Sequence, residues 1–328
     1  MQLIEFENYL KKNQIAFDSM ESITSTLQEF ESFLSTLGKT VENCGYDDLF
    51  FYASKLIMQD KSHFDIYVYI LRYSRFIGNM ALNIACMEAL DGEEMIRNFS
   101  QRLEEIHGTS IRDLVFKDIN IPPIGIHPKE RPKTILKLID RLEEQVGTEH
   151  AISFLNKGLR DRYIDWYESS RKSYLKAGNF DNYLKVKKQA FYDTLNKHLA
   201  DGTLFYTQEI DEDVMDYVKA HPTIESGIRE GNILHTSKIP YMTKQFLEAR
   251  RNNDSKKMKY FFCHNPWFRE AILDDTQTVN PIACQISCGY YKDFWEGVLK
   301  HPVKVELTGS LIQGDESCTF NIHLPVLA

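Results

Sequence analysis

The sequence has no long apolar run. No segment of its 328 residues reaches the roughly 18 consecutive apolar residues that identify a membrane-spanning helix. Its first residues, MQLIEFENYLKKNQ, also lack the uninterrupted apolar segment of a secretory signal peptide. We therefore expect a cytoplasmic protein with no membrane partner.

Common nucleotide-binding motifs and recognisable kinase or DNA-binding modules are also missing. The chain contains neither a GxxxxGK[ST] loop nor a GxGxxG loop, and no kinase or helix-turn-helix module is recognisable. These absences argue against a sensor that carries its own ATPase or DNA-binding output module, but not against simple ligand binding. They leave open an enzyme, a small-molecule-binding module and a structural partner protein.

Basic residues are scarce in the first third of the chain. Residues 1–108 hold 17 Asp and Glu against 9 Lys and Arg, so the whole net charge of −8 lies there. Binding to nucleic acid depends on clustered Lys and Arg that contact phosphates. We therefore expect no nucleic-acid partner.

Cysteine is rare until the C-terminal segment. Cys44 and Cys86 are the only two before residue 259, and the other four lie within the last 70 residues, at Cys263, Cys284, Cys288 and Cys318. Six widely spaced cysteines in a long chain are typical of free thiols in a reducing compartment. The C-terminal cluster indicates either metal binding or thiol chemistry.

The composition and the pattern of helices and prolines predict two domains. Apolar residues make up 43% of the chain, enough for a folded core. Residues 1–108 repeat helical apolar spacing, and INIPPIGIHPKERP (119–132) holds four of the ten prolines, which indicates an irregular connector. We expect a helical bundle over 1–118 and a second domain over 119–328, with helices over 134–201.

Ile15 to Asn79 resembles, in helix order and motif shape, the core-binding (SAM-like) domain of tyrosine recombinases. The resemblance implies a helical fold. The DNA-clamping role of that family is not expected here, because this region is acidic.

The C-terminal part mixes strands and helices. We predict strands at GTLFYTQEI (202–210), GNILHTSKIPY (231–241) and KYFFC (259–263), and a helix at DEDVMDYVKAHP (211–222). An amphipathic helix follows Cys288, and a β-hairpin turns at Gly314. The expected class is α+β, with an all-helical N-terminal bundle followed by an α/β domain that has an antiparallel sheet.

Residues 202–324 resemble two related families. CGYYKDFWEG, HPVKVE and GDESCTF look like the end of the 4-vinyl-reductase domain, which also serves as the aromatic-effector sensor of phenol-responsive activators. FFCHNPWFREAI and GDESCTF are similar to the L-2-amino-thiazoline-4-carboxylate hydrolase-like family. Both resemblances imply an α/β domain that binds a small molecule.

The sensor resemblance also implies a zinc ion. Its ligands would fall on Cys288, Glu306 and Cys318, while GSLIQ stands where a further sensor cysteine is expected. Three ligands leave a tetrahedral zinc either open to water or completed by Cys263 or His264. Cys284, four residues before Cys288, fits a second ligand of one metal or an ordinary core position.

The hydrolase resemblance uses the same residues as catalysts. Cys263, His264 and Cys288 are the candidate nucleophile and acid–base groups, with Cys263 either a thiolate activated by imidazole or a metal ligand. On a strand, Cys263 and His264 would point to opposite faces, so one of them would meet Cys288 across the sheet. Such an enzyme would hydrolyse a C–N or C–S bond in a small heterocycle or amide.

The alternative is a non-catalytic ligand sensor or a zinc-stabilised binding module. In either case the expected partner is a small-molecule ligand. The sequence leaves a homodimer open.

Overall fold

The computed structural model describes residues 1–16, 19–161 and 164–325, and it divides the chain into two compact units. The first unit comprises Met1–Glu93 and Ile121–Arg131, and the second comprises Glu94–Asn120 and Pro132–Ala328. The predicted division at 118/119 differs from this one, because residues 94–120 pack with the second unit and residues 121–131 with the first.

The first unit is helical. Its helices are α1 (Leu3–Lys12), α2 (Met20–Thr36), α3 (Tyr46–Met58), α4 (Phe64–Ile77) and α5 (Met80–Leu90). Their apolar faces meet in one core; along α2, for example, Ile23, Leu27, Phe30 and Leu34 are fully buried. This i, i+4, i+7, i+11 spacing places the four side chains on one helix face, which is why the segment folds as an amphipathic helix.

The proline-rich segment is held against the first unit by hydrogen bonds to backbone carbonyls. The buried Arg131 guanidinium donates to Glu88 O at 2.6 Å and to Asp91 O at 3.1 Å, at the end of α5. Gly125 N donates to Ala89 O at 3.4 Å. The segment is irregular, as predicted, apart from a 3₁₀ turn at Pro128–Glu130.

The second unit has a larger set of helices and one sheet. The helices are α6 (Glu93–His107), α7 (Thr109–Phe116), α8 (Arg131–Val146), α9 (Thr148–Leu155), α10 (Ile164–Ala177), α11 (Phe180–Asp201), α12 (Glu212–Ala220), α13 (Thr243–Arg251), α14 (Ser255–Phe262) and α15 (Ile286–Leu299). Helices α8 to α11 lie in the predicted helical range 134–201, of which residues 162 and 163 are outside the described part. No helix in the described ranges is long and apolar enough to cross a membrane.

The sheet is antiparallel with strand order β1-β2-β4-β3. Its strands are β1 (Ile228–Glu230), β2 (Ile233–Ser237), β3 (Lys304–Gly309) and β4 (Thr319–His323). Thr236 pairs with Phe320, and Leu307 with Phe320 from the other side. The inner face packs on α15 through buried Leu234, Val305, Phe320, Ile322, Trp295 and Val298. The predicted α+β class, with its helical N-terminal region, is confirmed.

Two of the predicted strands are wrong. KYFFC is mostly the last part of helix α14, which begins after Asp254, whose carboxylate accepts a hydrogen bond from Lys257 N at 3.0 Å and caps the helix. GTLFYTQEI forms only an isolated bridge between Phe205 and Gln208 around a turn in which Tyr206 has a φ of +55°. A residue in the left-handed region cannot continue a strand.

Helix α15 approaches the chain after α9 unusually closely. A Cβ at Gly289 would lie 2.3 Å from Gly158 N and 2.5 Å from Gly158 Cα, and Gly158 itself has a φ of +68°. No side chain fits between two backbones at that distance. The two glycines therefore set the position of the first turns of α15.

We predict that Gly289→Ala lowers the free energy of unfolding by about 1–3 kcal/mol, because the added methyl overpacks a backbone contact. Chemical denaturation measures the effect. Lys292→Ala, on the same helix, is the matched control and should change stability by no more than about 0.5 kcal/mol. Equal stability of Gly289→Ala and the wild type would show that α15 is free to move away from Gly158.

Candidate functional site

Several sequence-predicted residues meet at one small cavity in the second unit. The cavity has a volume of about 20 Å³, room for roughly one water molecule. Its polar lining consists of Lys238, Lys259, Cys263, His264, Asn265, Cys284, Ser287 and Cys318. Its apolar lining consists of Phe262, Phe268, Leu307, Leu311, Ile312 and Phe320.

Different elements bring these side chains together. Lys238 follows β2, Cys263 and His264 follow α14, and Cys318 directly precedes β4. Cys284 lies in a 3₁₀ turn, Pro281–Gln285, that runs into α15, and Ser287 is the second residue of α15. The Lys238 backbone N–H donates to Cys318 O at 3.1 Å, which extends the β2–β4 pairing to the cavity.

Lys238 is the central charged group of the cavity. Its Nζ lies 2.9 Å from Ser287 Oγ and donates a hydrogen bond to it. Among the described residues, no carboxylate lies within 4.0 Å of this amine. Burial lowers the pKa of Lys238 below the ordinary 10.5, because desolvation disfavours the ammonium form.

The cavity thiols are held in their neutral form. Burial raises the pKa of Cys263 to about 11 and that of Cys284 to about 12, and it also raises the pKa of Cys318. Ser310 Oγ donates to Cys284 Sγ at 3.3 Å. Since the thiolate is the reactive form of cysteine, these thiols are weak nucleophiles near neutral pH.

The His264 imidazole is hydrogen-bonded to a backbone carbonyl. Its Nε2 lies 2.6 Å from Ile239 O, an acceptor, so this nitrogen carries the proton and donates it. Burial lowers the pKa of His264 to about 3. A neutral imidazole with so low a pKa is a poor base for the Cys263 thiol.

Cys288 and Glu306 lie apart from the cavity lining. Cys288 is fully buried in the core beneath the sheet, and its Sγ donates to Gln285 Oε1 at 3.5 Å. Glu306 is on the outer face of β3, where it accepts a hydrogen bond from His323 Nε2 at 2.8 Å and pairs with Lys304 at 2.5 Å. A bulge between Leu307 and Gly309 follows Glu306 and does not turn it inward.

The donors do not fit a zinc ion as they are placed. Within residues 1–16, 19–161 and 164–325, no group of three or more His, Cys, Asp or Glu side chains is arranged to hold a metal. Cys263 and Cys318 share the cavity, while Cys288 and Glu306 are elsewhere. Zinc stays a prediction from the resemblance, and no step below depends on it.

No sequence motif identifies two residues of the site, Ser287 and Lys238. Ser287 lies directly before Cys288 in the sequence and carries no local signal. Lys238 lies within GNILHTSKIPY, which was predicted as a strand, and nothing in that segment identifies a partner for its amine. The pair is separated by 49 positions, so only the folded chain brings it together.

Comparisons of the chain with protein-family models, with curated proteins and with solved structures found no match. Functional inference therefore depends on the geometry of the cavity itself.

We predict that His264 makes the protein sensitive to acid. The unfolded state takes up a proton near pH 6.5 and the folded state only near pH 3, so the stability present above pH 6.5 is lost as the pH falls towards 3. The loss is about 1.4 kcal/mol per pH unit within that window. His264→Gln removes the titration while keeping an amide donor, so its stability should fall less steeply. Parallel slopes in urea denaturation series would contradict the assignment.

Proposed function

We propose that the second unit is a small-molecule hydrolase in which Ser287 is the nucleophile and Lys238 is the general base. The observation that supports this is the 2.9 Å contact between Lys238 Nζ and Ser287 Oγ. A nucleophile and a base within hydrogen-bonding reach are the signature of covalent catalysis, and serine–lysine pairs are one known form of it.

The environment favours the base form of the lysine. An ammonium ion is stabilised by a carboxylate, and none lies within 4.0 Å of this amine in the described part of the chain. The surrounding thiols are neutral, and the remaining walls are largely aromatic and aliphatic. Desolvation therefore favours the neutral amine, whose lone pair accepts the hydroxyl proton over the same 2.9 Å distance.

Each step of the reaction can be assigned to these two residues. Lys238 takes the proton of Ser287 as Oγ attacks the acyl carbon of the substrate. The ammonium then returns this proton to the leaving nitrogen as the C–N bond breaks, which leaves an acyl-serine. Water, deprotonated by the neutral amine, attacks the acyl carbon. The Lys238 ammonium returns that proton to Oγ as the C–Oγ bond breaks, which releases the carboxylic acid and restores Ser287.

The reaction class follows the hydrolase expectation, but the catalytic residues are different. Cys263 and His264 line the cavity, and Cys288 lies in the core beside it. A volume of about 20 Å³ has room for roughly one water-sized group. We infer a substrate with a small acyl group, whose remainder stays outside the cavity.

A reducing compartment such as the cytoplasm suits this site. All six cysteines are free thiols. Disulfide formation among the cavity thiols would change the walls around Lys238, and reducing conditions prevent it.

A fluorophosphonate probe tests the proposal, because it reacts with activated serines. We expect a single adduct, which peptide mapping places on Ser287. Lys238→Met should slow the labelling by about 10²–10⁴-fold, the usual contribution of a general base. Hydrolysis of a small acyl anilide should fall in parallel.

Two variants serve as controls. Ser287→Ala should lose the adduct, while Ser255→Ala, which changes an exposed serine at the start of α14, should keep it. Circular dichroism confirms that each variant is folded. Labelling that is equally fast in Lys238→Met would exclude the lysine as base. Small-ligand binding without any labelling would favour the non-catalytic sensor instead.

A further inference from the structure

We propose that Lys238 also captures small aldehydes as a reversible imine. This activity goes beyond the proposed hydrolysis, because the amine itself forms the bond and no acyl group passes to Ser287. Its substrate class is an unhindered aldehyde. Nothing in the hydrolase chemistry requires it, and it can be tested separately.

The groups around the Lys238 amine support this inference. Phe262, Phe268 and Phe320 supply apolar walls on the same cavity into which Lys238 projects. The hydrogen-bond partner of Nζ is a hydroxyl, Ser287 Oγ at 2.9 Å. A desolvated lysine with an uncharged partner is the arrangement that makes an amine nucleophilic towards carbonyl carbons.

The two arginine charges that act on the cavity residues do not oppose this chemistry. Arg160 pairs with Glu94 at 3.1 Å, and Arg269 lies 3.7 Å from Glu270 and stacks on Tyr241 at 4.3 Å. Each arginine charge therefore has a carboxylate beside it. The positive charge of Arg160 also lowers the pKa of Lys238 and so favours its neutral form.

The bonds and protons balance without an oxidant or a reductant. The Nζ lone pair attacks the aldehyde carbon, and one amine proton passes through solvent water to the carbonyl oxygen, which gives a carbinolamine. Expulsion of that hydroxyl with a second amine proton releases water and leaves the C=N bond. Addition of water reverses the sequence and returns the free amine.

The cavity volume selects the carbonyl class. About 20 Å³ holds one small group beside Nζ. An aldehyde places only hydrogen on one side of its carbonyl carbon, whereas a ketone places a carbon substituent on both sides. We therefore expect aldehydes to react faster than ketones of similar polarity.

Reductive trapping tests the proposal on the full chain. Acetaldehyde and sodium cyanoborohydride at pH 7 convert an imine into a stable N-ethyl-lysine, which peptide mass spectrometry locates. We expect Lys238 to be labelled at least about tenfold faster than Lys244, whose pKa is raised by its hydrogen bond to Glu209. Acetone should give little adduct at Lys238.

Variants separate this proposal from the hydrolase. Ser287→Ala should abolish acyl hydrolysis and still give the N-ethyl adduct at Lys238, while Lys238→Met should lose both. Labelling of Lys238 that is no faster than that of Lys244 in the folded wild type would overturn the imine proposal. It would leave the fluorophosphonate result untouched.

Discussion

The site depends on one constraint, the enclosure of the Lys238 amine without a carboxylate to balance it. In water a lysine amine is protonated, and in a protein interior the ammonium form is costly unless it is paired. Here the partner is the Ser287 hydroxyl, and the neighbouring groups are neutral thiols and aromatic rings. The amine is thereby shifted towards the form that can accept a proton or attack carbon.

Three parts of the fold hold the groups around the Lys238 amine in place. The pairing of β2 with β4 fixes the backbone of Lys238 opposite Cys318. The contact between Gly289 and Gly158 fixes the first turns of α15 and hence Ser287. The end of α14 supplies Cys263 and His264, whose imidazole is locked onto Ile239 O. A shift in any one of these elements would open the cavity to water and release the amine to its ordinary protonation.

Part of this arrangement was predictable from local pattern. Helical periodicity identified the N-terminal helices and the helix containing Cys288, and alternation identified the β3–β4 hairpin, since both patterns record which side chains face a core. The same logic failed at KYFFC, where aromatic residues suggested a strand and the Asp254 cap favours a helix. Cys263, His264, Cys284 and Cys318, which belong to or adjoin the cysteine cluster, line one cavity. The Lys238–Ser287 pair was beyond sequence reasoning, because neither residue has a local signal and their contact exists only in the folded chain.

The ionisation of Lys238 is the quantity on which both proposed activities depend. NMR titration of the protein labelled with ¹³C-lysine measures it directly, with Lys238→Met to assign the resonance. We predict a midpoint below the ordinary 10.5 for Lys238 and a midpoint above 10.5 for Lys244 in the same sample. A Lys238 midpoint at or above 10.5 would mean that the amine is an ordinary ammonium ion, and it would contradict both the base and the nucleophile assigned to this cavity.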